Sequence, residues 1–152
     1  MPELRERPRM ETHRMVGHLI RRLHQISTHV FARRVQEAGF DLTPVQYAAL
    51  DAIISDPGID QAGVAAQIAY DRATIGGVID RLEQKGYVER TVCLSDRRAR
   101  EVRPTDSGRQ AFNEISPIVA ALQKDILGDL DEAERAEFHA LAAKAIATAD
   151  IR

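Results

Sequence analysis

The segment from residue 72 to residue 85 combines basic, hydroxyl and glycine residues in a pattern that suits contact with a polyanion. Its apolar residues fall on one side of a helix at about 100° per residue: Ile75, Val78, Ile79 and Leu82. The rest of the surface carries small residues with an arginine at each end: Arg72, Ala73, Thr74, Gly76, Gly77 and Arg81. Arginine can neutralise phosphate or bind guanine, and a threonine hydroxyl can bond to phosphate or a base edge. These residue types predict a helix that reads a nucleic acid groove.

The adjacent glycines Gly76 and Gly77 support this interpretation. Glycine inside a helix costs about 1 kcal/mol relative to alanine, so the pair breaks a local rule of helix composition. Without Cβ atoms a helix backbone can lie close to another surface, and the major groove has a suitable width. The alternative is tight packing inside the protein, which the position of the glycines opposite Ile75, Ile79 and Leu82 argues against.

A second basic cluster follows, where the pattern changes from helix to strand. Residues 88–94 place apolar side chains on one face, and residues 100–103 form a returning strand. The charged residues of the hairpin tip and of the return are Asp96, Arg97, Arg98 and Arg100. Arginines on such a hairpin suit a narrow minor groove, and Asp96 can orient Arg98 by a charge-assisted hydrogen bond. A solvated turn with a surface ion pair is the alternative when this tip is considered alone.

Two short helices are predicted to position these clusters. Asp60 and Asp71 are expected to cap helices over about 61–68 and 72–85. The short break between the helices gives the spacing of a helix-turn-helix, and Gln61 lies at the start of the first one. The hairpin that follows is then a wing.

Longer helices are predicted on both sides of this module. Apolar residues recur at three- and four-residue steps over about 12–38, and Thr43 with Gln46 forms a capping box for a helix that ends near Ser55. After the hairpin, helices are expected over about 106–128, capped by Thr105, and from about Asp131 to Ala149. The predicted fold class is mainly α with a small β-hairpin wing.

The charge of the chain is unevenly distributed although its net value is only −2. Residues 5–34 hold eight Arg and two acids (+6), residues 72–109 nine Lys or Arg and six acids (+3), and residues 110–150 three and eight (−5). Basic charge concentrated in particular segments can present a local polyanion-binding face. Solvated helix faces are the alternative, so charge alone does not decide.

Several classes of protein are not expected. No stretch approaches the roughly 20 apolar residues of a membrane span, and the charged first residues lack the apolar centre of a signal peptide. The single cysteine, Cys93, fits a reducing cytoplasm. Without a glycine-rich phosphate loop or a nucleophile elbow, neither an enzyme nor a cofactor is expected. The five histidines form no tight cluster with Cys93, so no metal site is expected.

Three stretches carry a resemblance to a known family. They are DRATIGGVIDRLEQKGYVER at 71–90, SDRRAR at 95–100 and PTDSG at 104–108. In these stretches the sequence resembles the MarR family of bacterial regulators, and the resemblance covers most of the chain. Asp96 and Arg98, followed by Thr105 and Gly108, form a fairly specific signature. One departure is Pro104, where the family usually has leucine, and it is expected to weaken the second wing strand slightly.

The resemblance implies a homodimer that binds double-stranded DNA. Within a single domain of residues 1–152, helices at about 12–38 and 106–149 would interlock as the dimer interface around a winged helix-turn-helix at about 42–104. Two modules would then bind successive major grooves of a pseudo-palindrome, with phosphate contacts from Gln61 and Arg81 and a minor-groove contact from Arg98. The full predicted DNA-binding set is Gln61, Arg72, Ala73, Thr74, Gly76, Gly77, Arg81, Asp96, Arg97, Arg98 and Arg100.

Family members often release DNA when a small aromatic acid or phenolic compound binds between the dimerisation helices and the winged module. The candidate effector-binding residues in this sequence are Arg21, His24, Thr28, Tyr47 and Tyr70. A cation and an imidazole beside apolar residues suit an aryl carboxylate, free or as a thioester conjugate. A partly buried structural histidine and a solvated arginine are the alternative. By resemblance, the chain is expected to be a cytoplasmic, nucleoid-associated repressor released by such an effector.

An oxidant sensor and a protein-interaction adaptor are the alternatives to this function. Cys93 falls on the first wing strand, which favours a half-buried filler over an oxidant sensor. A winged helix can also dock proteins rather than DNA, so an interaction adaptor without an effector is the alternative function. The Thr-Ile-Gly-Gly face and the arginines of the hairpin favour DNA.

Overall fold

The computed structural model describes residues 10–92, 100–147 and 149, and within them helices surround a small antiparallel sheet. The helices are α1 (Val16–Glu37), α2 (Pro44–Ser55), α3 (Gln61–Gln67), α4 (Ile75–Gln84), α5 (Asp106–Ile126) and α6 (Glu132–Ala147). The strands are β1 (Ile59–Asp60), β2 (Val88–Val92) and β3 (Arg100–Pro104), and a 3-10 helix at Glu11–Arg14 precedes α1. The predicted fold class, mainly α with a small β-hairpin wing, is confirmed.

Side-chain caps begin four of the helices where the sequence predicts them. Thr43 and Gln46 form a reciprocal capping box at the start of α2, with donor–acceptor distances of 3.1 and 3.2 Å. The Asp60 carboxylate accepts a hydrogen bond from an amide in the first turn of α3 at 2.7 Å. Thr105 and Asp131 accept in the same way at α5 and α6. Each cap satisfies an amide that the first turn of a helix leaves without an intrahelical partner.

The sheet has the strand order β1-β3-β2. The hairpin of β2 and β3 was predicted, whereas β1 was not, because it is only two residues long and forms by pairing Ile59 with the distant Val102. Strand β3 extends through Pro104, which lies opposite Val88. Proline cannot donate a ladder hydrogen bond, and its place at the end of the strand fits that restriction.

The hydrophobic core lies between α1, α2, α4, α5 and the sheet. Its fully buried large side chains are Val35, Leu50, Ile53, Val64, Ile75, Ile79, Leu82, Val88, Val102, Ile115 and Leu122. The buried residues of α1 are confined to its second half, and α6 has no buried residue in the single chain. The core therefore supports the winged module and leaves the outer helices partly uncovered.

Two predicted helix starts differ from the structure. The first long helix begins at Val16 rather than near residue 12, because Met15 adopts an extended conformation between the 3-10 helix and α1. Helix α4 begins at Ile75, so residues 72–74 form a turn, and Asp71 does not cap the helix. The Asp71 carboxylate instead accepts a hydrogen bond from the amide of Ala73 at 2.9 Å, which stabilises that turn.

Candidate nucleic-acid interface

Helices α3 and α4 are held together as a helix-turn-helix by their apolar faces. Val64 in α3 and Ile75, Ile79 and Leu82 in α4 are buried, as the predicted apolar face of α4 requires. Between the helices the chain turns at Ala69, a residue with a left-handed φ of 52°. This packing fixes the opposite side of α4 as an exposed surface.

The glycines on the outer side of α4 are not required by packing within the chain. A Cβ atom added at Gly77 would meet no atom of the described residues within 4 Å, and one added at Gly76 would lie 3.6 Å from Nε2 of Gln61, an ordinary contact. The interpretation that these glycines allow tight internal packing is therefore not supported. The structure also brings Gln61 of α3 beside Gly76, as expected for two members of one binding surface.

The other predicted residues of this surface lie around the start of α4. Arg72, Ala73 and Thr74 are exposed in the turn before α4, and Arg81 is exposed in the second half of α4. Among the described residues, no ion pair or side-chain hydrogen bond engages Arg72 or Arg81. The Thr74 hydroxyl donates to the carbonyl oxygen of Asp71 at 3.2 Å, which leaves its lone pairs to accept a hydrogen bond from a base. The surface can thus offer two cations, a hydroxyl and a bare backbone.

The wing is described at its base but not at its tip. Arg100 is exposed at the start of β3, opposite Val92. Asp96, Arg97 and Arg98, like Cys93, lie outside the described residues, and their predicted roles stay predictions.

Sequence reasoning missed one residue of this region, Arg90 of β2. Its side chain is only 10% exposed and forms an ion pair with Asp80 of α4. It also donates to the carbonyl oxygen of Gly76 at 2.8 Å. The signal was present in the alternation of the strand, since residues 88, 90 and 92 share a face and Val88 of that face is buried.

The candidate effector residues lie in two different environments. Arg21, His24 and Thr28 are exposed on α1, and Arg21 is hydrogen-bonded to Nδ1 of His18 at 3.2 Å. Desolvation, together with the positive charges of His13, Arg21 and Arg22, lowers the pKa of His18, which favours the neutral ring that can accept this bond. Within the part of the chain that the structure describes, no hydrogen bond joins these α1 residues to either candidate tyrosine.

Tyr47 is half-buried between three helices, whereas Tyr70 is exposed in the turn after α3. The Tyr47 ring stacks on Phe112 of α5 at a centroid distance of 5.2 Å and contacts Phe31 of α1 at 6.0 Å. Its hydroxyl donates to Oγ of Ser116 at 3.1 Å. Tyr47 therefore already has a structural role in joining α1, α2 and α5.

Comparisons with known proteins agree with this geometry. The family model described as MarR family matches residues 40–99, which span α2 to the wing tip. The transcriptional regulator HosA of Escherichia coli is 32% identical over 131 residues, which are 86% of this chain and 94% of HosA. The chain belongs to the MarR family. A regulatory protein for the hcr operon of Thauera aromatica is 34% identical over 94 residues, and the chain spans 57% of the length of that protein.

Solved structures of MarR-family regulators share the fold. The Bordetella bronchiseptica regulator BpsR, whose DNA binding is regulated by 6-hydroxynicotinic acid, is 29% identical, with a TM-score of 0.81 over 95% of this chain and 100% of that one. The transcriptional repressor CouR, solved bound to a 23-mer DNA duplex, is 26% identical, with a TM-score of 0.78 over 93% and 99%. The chain is thus a DNA-binding transcriptional regulator with a winged helix-turn-helix.

Two residues of the MarR signature have a clear structural purpose here. The Thr105 hydroxyl donates to the carbonyl oxygen of Gly86 at 2.6 Å and accepts from the Gly108 amide at 3.0 Å. A Cβ atom at Gly108 would overlap the carbonyl group of Tyr87, whose carbon lies 2.8 Å from that position. The signature therefore seats the start of α5 directly on the turn that connects α4 to the wing.

Neither a metal site nor a membrane-spanning helix is found among the described residues. No group of three or more His, Cys, Asp or Glu residues in that part of the chain is placed to hold a metal ion. None of the helices in the described ranges has the length and apolar character needed to cross a membrane.

Proposed function

We propose that this MarR-family regulator binds a pseudo-palindromic operator as a homodimer and represses transcription until a small aromatic acid releases it. The observation that carries the proposal is the outer side of α4, where Gly76 and Gly77 leave the helix backbone without side chains. Packing among the described residues does not require glycine at either position. A helix side of this kind can approach the floor of a major groove closely. Such a regulator would act in the cytoplasm, at the nucleoid.

On the operator, the residues divide by the part of the duplex that they contact. Thr74, Gly76 and Gly77, with Ala73 beside them, lie in the major groove and read base edges. Cationic and polar residues at the edge of this surface contact phosphates: Gln61, Arg72 and Arg81. The wing, with Arg97, Arg98 and Arg100 and with Asp96 orienting Arg98, enters the minor groove. The structure of CouR bound to a 23-mer DNA duplex supports binding of double-stranded DNA by this fold.

The homodimer is supported by apolar surface on the outer helices. Ile20 of α1 is 61% exposed in the single chain, and Leu141 and Ile146 of α6 are 59% and 70% exposed. Large apolar side chains exposed on the outer helices can be covered by a second copy of the chain. A second copy of the chain that covers these helices would place two reading helices on one side of the assembly.

The effector is proposed from chemistry rather than from a formed cavity. Arg21 and His24 supply cationic or hydrogen-bonding groups, Thr28 supplies a hydroxyl, and Tyr47 and Tyr70 supply aromatic rings with hydroxyls. An aryl carboxylate or phenolic acid, free or as its thioester, matches such a set. The 6-hydroxynicotinic acid that regulates BpsR is an aromatic acid with a ring hydroxyl, which supports the same class of compound here.

Selection of bound duplexes from a random library tests the DNA-binding part of the proposal. We expect a two-fold-related motif, since a symmetric dimer reads two equivalent half-sites. Calorimetric titration with a panel of aromatic acids, followed by measurement of DNA release, tests the effector. A monomer that retains no duplex would overturn the operator proposal, and a panel that gives neither heat nor release would overturn the effector proposal.

A further inference from the structure

The largely covered side chain of Arg90 connects the wing to the reading helix at two points. One terminal nitrogen pairs with the carboxylate of Asp80, in the middle of α4, and the other donates to the carbonyl oxygen of Gly76 at 2.8 Å. Both partners belong to α4, whereas Arg90 belongs to the strand that leads into the wing. The guanidinium therefore ties the two elements that are proposed to enter adjacent grooves.

The low exposure of this side chain argues against a direct role in contacting DNA. Arg90 is 10% exposed, and both of its terminal nitrogens already donate within the chain. Its Nε is buried and has no hydrogen-bond partner among the described residues. A buried donor without a partner is unfavourable, which offsets part of the stability that the contacts of the two terminal nitrogens provide.

The Gly76 contact has a particular consequence for how α4 reads DNA. Glycine has no side chain that can adjust to the groove floor, so at Gly76 and Gly77 the depth and angle of the backbone itself decide the fit. Arginine has a rigid planar fork with fixed donor directions, which suits it to holding a backbone in one orientation. Arg90 donates to the carbonyl oxygen of Gly76, in the part of α4 where two adjacent residues have no side chains.

We propose that Arg90 is a positioning residue that sets the angle between α4 and the wing and thereby determines sequence specificity, not general DNA affinity. This inference rests on the proposed operator binding. Losing the correct angle would displace base contacts while leaving the phosphate contacts, which tolerate small shifts of long side chains, largely intact.

Arg90→Lys isolates this role because it keeps the positive charge and removes the fork. The matched control is Arg103→Lys on β3, where the arginine is 54% exposed and pairs with Glu101 of its own strand at 3.6 Å. Binding is measured by fluorescence anisotropy on a duplex selected by the unaltered protein and on a scrambled duplex, across a series of salt concentrations. We expect Arg90→Lys to weaken binding to the selected duplex about tenfold or more and binding to the scrambled duplex less than about twofold. Arg103→Lys should change both by less than about twofold.

Asp80→Asn provides a second variant in which charge and geometry predict opposite results. The Asp80 side chain is 55% exposed, and its neutralisation removes one negative charge, which by electrostatics alone would tighten binding to every duplex. The positioning role predicts weaker binding to the selected duplex instead. Circular dichroism establishes that each variant is folded, and if Arg90→Lys is not, the result for Asp80→Asn decides.

Amide hydrogen exchange in the free protein tests, without DNA, whether the contacts of Arg90 stabilise α4. We expect faster exchange across α4 in Arg90→Lys than in Arg103→Lys. Three results would each overturn the inference: unchanged exchange, unchanged affinity for the selected duplex, or equal losses of affinity on both duplexes. If the unaltered protein selects no duplex, the operator proposal fails, while the exchange experiment still tests the tie itself.

Discussion

At the scale of single residues, glycine serves two opposite purposes in this chain. At Gly77 the space where a Cβ atom would lie is empty, whereas at Gly108 it is filled by the carbonyl group of Tyr87. Neither residue is in the left-handed region, so backbone conformation does not explain either of them. The two positions therefore give opposite predictions for the same substitution.

Gly77→Ala is expected to stabilise the protein and to weaken its binding to DNA. Alanine favours a helix interior by about 1 kcal/mol over glycine, and no atom opposes the added methyl group. The same methyl group would hold α4 away from the groove floor. Urea denaturation should show the gain in unfolding free energy, and a mobility-shift titration with the selected duplex should show the loss of affinity. A stabilised variant with full affinity would contradict the placement of this side of α4 against DNA.

Gly108→Ala is expected to destabilise the protein by about 1–3 kcal/mol or more, because the start of α5 must move away from Tyr87. That movement would also strain the Thr105 hydrogen bond to Gly86. The measurement is the same urea denaturation, so the two alanine substitutions are compared directly. A loss of less than about 0.5 kcal/mol would show that the α5 junction is more adaptable than its geometry indicates.

At the scale of helices and strands, the sequence predicted what local chemistry determines. The capping box of Thr43 and Gln46 and the Asp60 cap were confirmed because each cap depends on a few neighbouring residues. The strand β1 and the Arg90 contacts were missed because they depend on partners far along the chain. The start of α4 was misplaced because Asp71 can stabilise either a helix start or a turn, and its neighbours in the folded chain select the turn.

The same limit applies to the candidate sites. Gly77 and Arg81 lie on the exposed side of α4, since helical periodicity alone determines which residues of a helix share a face, whereas Arg72, Ala73 and Thr74 lie in the turn before it. The five effector candidates come from three separate segments, and no local pattern fixes their distances. Their grouping stays a prediction, and in the single chain Tyr47 is already engaged with Ser116.

Tyr47→Phe tests how α2 is attached to α5. The substitution removes the hydroxyl that donates to Ser116 and keeps the ring that stacks on Phe112, so we expect a loss of about 0.5–1.5 kcal/mol in unfolding free energy. Ser116→Ala is the matched control, since it removes the other partner of the same bond and also the Ser116 bond to the carbonyl oxygen of Phe112. Chemical denaturation of both single variants and of the double variant isolates the pair. Fully additive losses would mean that the two hydroxyls do not stabilise the chain together.

At the scale of the whole molecule, the outer helices α1 and α6 of the single chain expose large apolar side chains. The winged module packs around the hydrophobic core, whereas neither α6 nor the first half of α1 has a buried residue. Apolar side chains in this arrangement gain their stabilisation only when another surface covers them. In the proposed homodimer the second copy would supply a second set of phosphate contacts, so dimerisation and DNA binding would be linked.

Leu141→Glu should separate the two copies and reduce the salt dependence of DNA binding together. Leu141 is 59% exposed, so a carboxylate there leaves the fold of one chain intact, while burying that carboxylate in a dimer interface would be strongly unfavourable. Sedimentation should therefore give a folded monomer. The logarithm of affinity falls with the logarithm of salt in proportion to the phosphates neutralised, so one module should show about half the slope of two. The control, Val92→Glu, places the same charge on a β2 side chain that is 57% exposed, and this variant should remain dimeric. A Leu141→Glu protein that stays dimeric would place the interface away from α6, and a monomer with an undiminished slope would mean that one module makes all the phosphate contacts.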